Sequence, residues 1–154
     1  MASWLEQYDR MLRWYERFKV LDAGRPHDTP SDNYVDEVYA FFQNCYHLKD
    51  WVKNDHALPA NVRQAVEAHI NGSRALRLCA DICNALKHLA LTESRSGEDP
   101  SFGPKRYSLT LGAGVPPMIS LKYEVNTTTG PEDAFALATD CLGEWKRFRA
   151  TWGL

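Results

Sequence analysis

SDNYVDEVYAFFQNCYHLKDWVK, residues 31–53, decides the fold class. Val35, Val38, Phe42, Cys45, Tyr46 and Val52 fall on one face when the chain turns every 3.6 residues, which predicts a helix from about Ser31 to Lys53. Upstream, Trp4, Tyr8, Met11, Leu12, Tyr15 and Phe18 keep the same spacing. Ser3 followed by Glu6 reads as a capping box, so a first helix opens near Trp4 and stops near Asp22-Ala23-Gly24. Arg25 to Asp32 holds two prolines and several turn formers and reads as a loop. Downstream, Asn54-Asp55-His56 ends the second helix, and Pro59 suits the first turn of a third that runs to about Ile70. Asn71-Gly72 breaks it. Ser73 caps a fourth helix, about Arg74 to Leu91, with Leu78, Ile82, Leu86 and Leu89 on its core face.

Thr92 to Lys105 is polar and reads as a mobile loop. The period then drops to two. Tyr107, Leu109 and Leu111 alternate with polar or small residues, as do Ile119, Leu121, Tyr123 and Val125, and Gly112 to Pro117 connects the two runs. Gly130-Pro131-Glu132-Asp133 reads as the opening of a closing helix, with Phe135, Ala138, Leu142, Trp145 and Phe148 along it. The expectation is a mainly α fold in one domain, residues 1–154. It is a four-to-five-helix bundle with a β-hairpin (about 106–127) inserted before the closing helix (about 131–151).

With 44% hydrophobic and 25% charged residues, the composition is that of a globular chain. A net charge of -2 argues against a strong non-specific grip on nucleic acid and leaves room for a local RNA or nucleotide site. Met1 to Arg10 has no apolar run, and no stretch approaches the roughly 18 apolar residues of a membrane span. A cytoplasmic protein is expected. Cys45, Cys79, Cys83 and Cys141 show no zinc-finger spacing and read as free buried thiols in a reducing compartment. No metal and no cofactor is expected.

Two polar stripes stand beside the core faces. On the fourth helix Arg77, Asp81, Asn84 and His88 lie four, seven and eleven residues apart. On the second, Asp36, Gln43, His47 and Asp50 do likewise, with Trp51 adjacent. If these helices pack, His47, Asp50, Asp81, Asn84 and His88 meet at the edge of the core. Such a set suits acid–base work, in which a carboxylate holds a histidine in one tautomer. It also suits a mononuclear metal site, or a hydrogen-bonded network that fixes helix register. Lys87 stands a quarter turn from His88, where it could reach an anion at the rim. His27, His56 and His69 read as surface residues.

Across Asp81-Ile82-Cys83-Asn84-Ala85-Leu86-Lys87-His88 the chain resembles HEPN domains. These are helical bundles found in bacterial toxins, phage-defence ribonucleases and nucleotide-binding modules. Their signature is an Arg, commonly followed by Asn, Asp or His, then a His a few residues on. Asn84 and His88 fit, and Cys83 stands where the Arg belongs. Cysteine cannot supply that fixed positive charge. Arg77 lies 11 residues before His88, roughly 16 Å along the axis, too far to share one phosphate within a protomer. The stretch His47-Leu48-Lys49-Asp50-Trp51, together with Asn84 to His88, is also similar to a group of uncharacterised bacterial proteins. The resemblance covers residues about 31–91. It implies an RNA- or nucleotide-binding domain, either a metal-independent ribonuclease or an inactive relative. The implied setting is a toxin–antitoxin or phage-defence system, with a homodimer or a cognate protein as partner. His88 is then the general acid–base and Asn84 and Asp81 orient it, while His47, Asp50, Trp51, Arg77 and Lys87 bind. Two other readings stand beside it, a non-enzymatic interaction protein and a metal-binding bundle.

Overall fold

A computed structural model of the chain describes residues 2–89 and 91–154. Its first helix, α1 (Trp4–Ala23), is capped otherwise than the sequence suggests. Ser3 makes no side-chain cap; instead the Trp4 backbone N–H donates to Asp55 Oδ2 at 2.9 Å, so a distant loop carboxylate satisfies the helix start. A two-residue strand, β1 (Arg25–Pro26), follows where only a loop is expected. The second helix, α2 (Ser31–Asn54), has the predicted bounds within one residue. It carries the centre of the core: Val38, Phe41, Phe42, Cys45 and Leu48 have no exposed surface. Each such large apolar side chain contributes about 1.5–3 kcal/mol by burial.

The next helix, α3 (Ala60–Gly72), continues through Asn71-Gly72, so the expected break falls two residues later, at Ser73. The Ser73 hydroxyl accepts from Leu76 N at 3.2 Å and caps α4 (Arg74–His88). That helix is shorter than expected. Leu89 already has φ 65°, a left-handed conformation that ends it. The expected continuation through Ala90 lies outside the described residues.

The chain then forms β2 (Ser101–Gly112) and β3 (Val115–Thr127), an antiparallel pair with Leu109 opposite Ile119 and Tyr107 opposite Leu121. β2 starts at Ser101, ahead of the hairpin expected at 106–127, and β3 takes in Val115–Pro117 of the expected connection while ending within those bounds. An extra residue at Gly103-Pro104 bulges β2 between Phe102 and Lys105, which allows a proline on this edge strand. The expected helix opening at Gly130–Asp133 is instead a fourth strand, β4 (Gly130–Asp133), paired to the end of β3. The closing helix α5 (Ala134–Trp152) starts only after it, with the Asp133 carboxylate accepting from Ala136 N at 2.9 Å.

The expected mainly α bundle with only a hairpin is therefore corrected. With 60% helix, 20% strand and a four-stranded antiparallel sheet, the fold is mixed α/β. β1 and β4 line one side of β3 end to end, and β2 pairs along the other. The Ile119, Leu121, Tyr123 and Val125 face of β3 closes the core against α1 and α5. Among the described residues, no helix is long and apolar enough to cross a membrane.

Candidate functional site

Lys49 is the first residue of this region that sequence reasoning missed. Its stem is packed between helices, leaving the side chain 10% exposed, and its ammonium lies 3.0 Å from Asp50 Oδ1 and 3.6 Å from Glu67 Oε1. Burial pushes its pKa down, but Asp50, Tyr46 and Glu67 outweigh that and raise it, so the ammonium stays charged. Glu67, on α3, also takes Lys53 at 3.0 Å and Arg95 at 3.2 Å. Burial raises the Glu67 pKa, and its three cations hold it below the ordinary carboxylate value. The result is an ion network joining α2, α3 and the segment after α4. No sequence signal marks it, because its members come from three separate elements.

On the facing helix, Cys83 is 4% exposed, with its sulfur 4.0 Å from His47 Nε2. Burial raises its thiol pKa to about 11; Cys45 and Asp50 push it the same way, while Lys87 and Lys49 oppose. At neutral pH it is an uncharged thiol. The position that the resemblance reserves for an arginine is thus neutral, and His47 packs against it.

Asp81 lies elsewhere. It has no exposed surface. Its carboxylate accepts from Ser94 Oγ at 3.0 Å, Arg95 N at 2.6 Å and Ser96 N at 2.8 Å, and from the Ser96 hydroxyl. These donors hold the segment after α4 onto the helix, which is why that segment is pinned where a mobile loop is expected. Arg74 ties it again, through Glu98 at 2.8 Å, and also grips Glu132 of β4. Asp81 is thus an anchor for a turn, engaged by groups other than His88.

The remaining candidates divide. Asn84 is half-buried, and His88 is exposed at the last residue of α4. Neither side chain makes a hydrogen bond among the described residues. Lys87 is exposed one turn beyond Cys83, also without an ion-pair partner among the described residues. Asp50 bridges toward this face through Lys49. Trp51 points to the far side of α2, under the Arg10 guanidinium at 5.5 Å. With Asp50, Trp4 and Asp55 it walls a recess of about 300 Å³. Arg77 is half-buried two turns before Asn84, and its Nε has no partner among the described residues. The expected meeting of five residues therefore reduces to His47 and Asp50 around Cys83, with Lys87, Asn84 and His88 beyond it. His69 is not a free surface residue: its ring lies against Phe148 and reaches the Glu144 carbonyl at 2.9 Å.

His47, Asp50, Asp81 and His88 do not gather as metal ligands. Among the described residues, the potential ligands that do gather are Cys45, Cys79 and Cys141. Comparison with known proteins adds no relative: no family model, no curated protein and no solved structure matches the chain.

Proposed function

We propose that this chain is a HEPN-like protein of the cytoplasm that binds the phosphate of an RNA strand or a nucleotide without cleaving it. The ligand would lie along the face formed by His47, Lys87 and His88. One observation carries the reading. Three carboxylates of α2, α3 and α4 are already engaged: Asp81 by the Ser94–Ser96 turn, Glu67 by Lys53, Lys49 and Arg95, and Asp50 by Lys49. His47, Lys87 and His88 stay exposed with no anionic partner among the described residues. Lys87 stands one turn beyond Cys83, against which His47 packs, and His88 one turn beyond Asn84; an exposed ammonium with exposed imidazoles on these turns suits an anionic oxygen.

Cleavage is left out for two reasons. Asp81 does not hold His88, and Cys83 offers a neutral thiol where transition-state charge needs a cation. This is the inactive-relative form of the resemblance. A toxin–antitoxin or phage-defence setting belongs to the same proposal. Fluorescence anisotropy of a labelled single-stranded RNA tests it. Lys87→Ala should weaken binding and lower the salt slope by about one. His47→Ala and His88→Ala should weaken it too, while Lys146→Ala, far along α5, should not. An affinity untouched by all three site changes would sink the proposal.

A second reading has its own support. Among the described residues, five of the eight exposed large apolar side chains lie on the β2–β3 hairpin: Tyr107, Leu109, Leu111, Val115 and Met118. Tyr107 and Leu109 share the core-side face of the sheet with Leu121 and Ile119; Tyr107 reaches the Ser31 carbonyl at the start of α2, and Leu109 stays exposed. β2 is also an edge strand. Such an edge is a template for pairing, and a second copy of this chain is the occupant we favour. This homodimer is compatible with the first reading.

A further inference from the structure

The four cysteines divide in a way their spacing hides. Cys79 and Cys83 are a turn apart on α4, yet the sulfurs that converge are those of Cys45, Cys79 and Cys141, from α2, α4 and α5. The three sulfurs lie within 4.8 Å of one another, and none of the three residues has exposed surface. All three are free thiols. Two of them are already oriented. Cys79 donates to the Phe42 carbonyl and Cys141 to the Ala75 carbonyl, each at 3.4 Å. Donation outward leaves their lone pairs free to face the space between the sulfurs.

A second, independent feature points into the same space. Trp145 is 1% exposed, and its indole N–H has no hydrogen-bond partner among the described residues. An indole N–H only donates, and leaving it unmatched in a core costs about 1–3 kcal/mol. It lies beside the Cys45 side chain.

We propose that Cys45, Cys79 and Cys141 form a trigonal all-sulfur site for a soft monovalent cation, Cu(I), with the Trp145 N–H as the hydrogen bond that supports its Cys45 ligand. A metal–sulfur bond of about 2.3 Å in a trigonal plane needs sulfurs about 4.0 Å apart, so less than an ångström of closure is required. Zn(II) takes a fourth ligand, and among the described residues no histidine, carboxylate or further thiol joins the three. Soft thiolates without hard donors select Cu(I). Binding releases thiol protons, because a metal ligand must be deprotonated. The site lies inside the helical core and does not depend on the phosphate-binding face.

The test is anaerobic titration of the reduced full-length chain with Cu(I) against bicinchoninate as the competing chelator, followed by X-ray absorption. The expected result is one Cu(I) per chain held by three sulfurs, with quenched Trp145 emission. Trp145→Phe, which keeps an aromatic ring and loses the N–H, should weaken binding about tenfold. Cys141→Ala should abolish the three-sulfur signature, and Cys83→Ala should leave it intact. Should a core variant fail to fold, the wild-type absorption spectrum decides alone. No Cu(I) retained against the chelator, nitrogen or oxygen ligands in the spectrum, or a Cys83-dependent site would overturn the proposal. So would stoichiometric Zn(II) that Cu(I) cannot displace.

Discussion

At the Asp81 carboxylate four hydrogen bonds meet, and they decide what this residue can do. In the sequence it stands on one stripe with His88 and reads as its orienting acid. The helix geometry behind that reading is right, but a stripe position says nothing about which neighbour covers it. Ser94, Arg95 and Ser96 cover it here, and their backbone N–H groups hold no sequence signature. Asp81→Ala should cost about 2–3 kcal/mol, because it strands buried donors. It should also speed hydrogen exchange at the Arg95 and Ser96 amides while leaving RNA affinity unchanged. Glu67 makes a different prediction. Its folded pKa is lowered beneath the ordinary 4.5, so it stabilises the fold above that pH. That stability is lost as pH falls through the lower folded value. Glu67→Gln should therefore flatten the acid limb of a melting-temperature profile and leave its neutral-to-alkaline shape alone.

Among the elements, α1 and α2 were legible because long amphipathic patterns outlast local ambiguity; six or more apolar residues repeat on each. β1 was not, since two residues carry no period. β4 was misread because Gly-Pro-Glu-Asp has the chemistry of a helix start, while its pairing to Glu124–Thr127 depends on β3 lying alongside. The early end of α4 is a backbone event at Leu89, a residue whose side chain favours helix. That position is 98% exposed with φ 65°, a conformation glycine adopts without steric cost. Leu89→Gly should raise stability by about 0.5–1 kcal/mol, read as a shift in the urea midpoint. A loss of stability would mean that Leu89 packs against a surface the single chain lacks.

For the whole molecule, the sheet completes one side of the core and leaves the far end of its hairpin apolar and uncovered. The alternation of Tyr107, Leu109 and Leu111 was visible in the sequence. What it could not show is which of them stay uncovered: Leu109 and Leu111 are exposed, while Tyr107 reaches the Ser31 carbonyl at the start of α2. Leu109→Asp with Leu111→Asp should leave the monomer folded and convert a sedimenting dimer to monomer. A wild-type chain that is monomeric at high concentration would remove the homodimer reading. The candidate site was half legible: His47, Lys87 and His88 were named from spacing alone, whereas the ion network that neutralises their surroundings comes from elements no periodicity connects. The central claim is that this network leaves an anion-binding face on α2 and α4. An amide shift map of the labelled protein, titrated with a short single-stranded RNA and then with a nucleoside monophosphate, tests it most directly. The account predicts shifts confined to Tyr46–Asp50 and Cys83–His88. Shifts centred on the β2–β3 hairpin, or none at all, would contradict it.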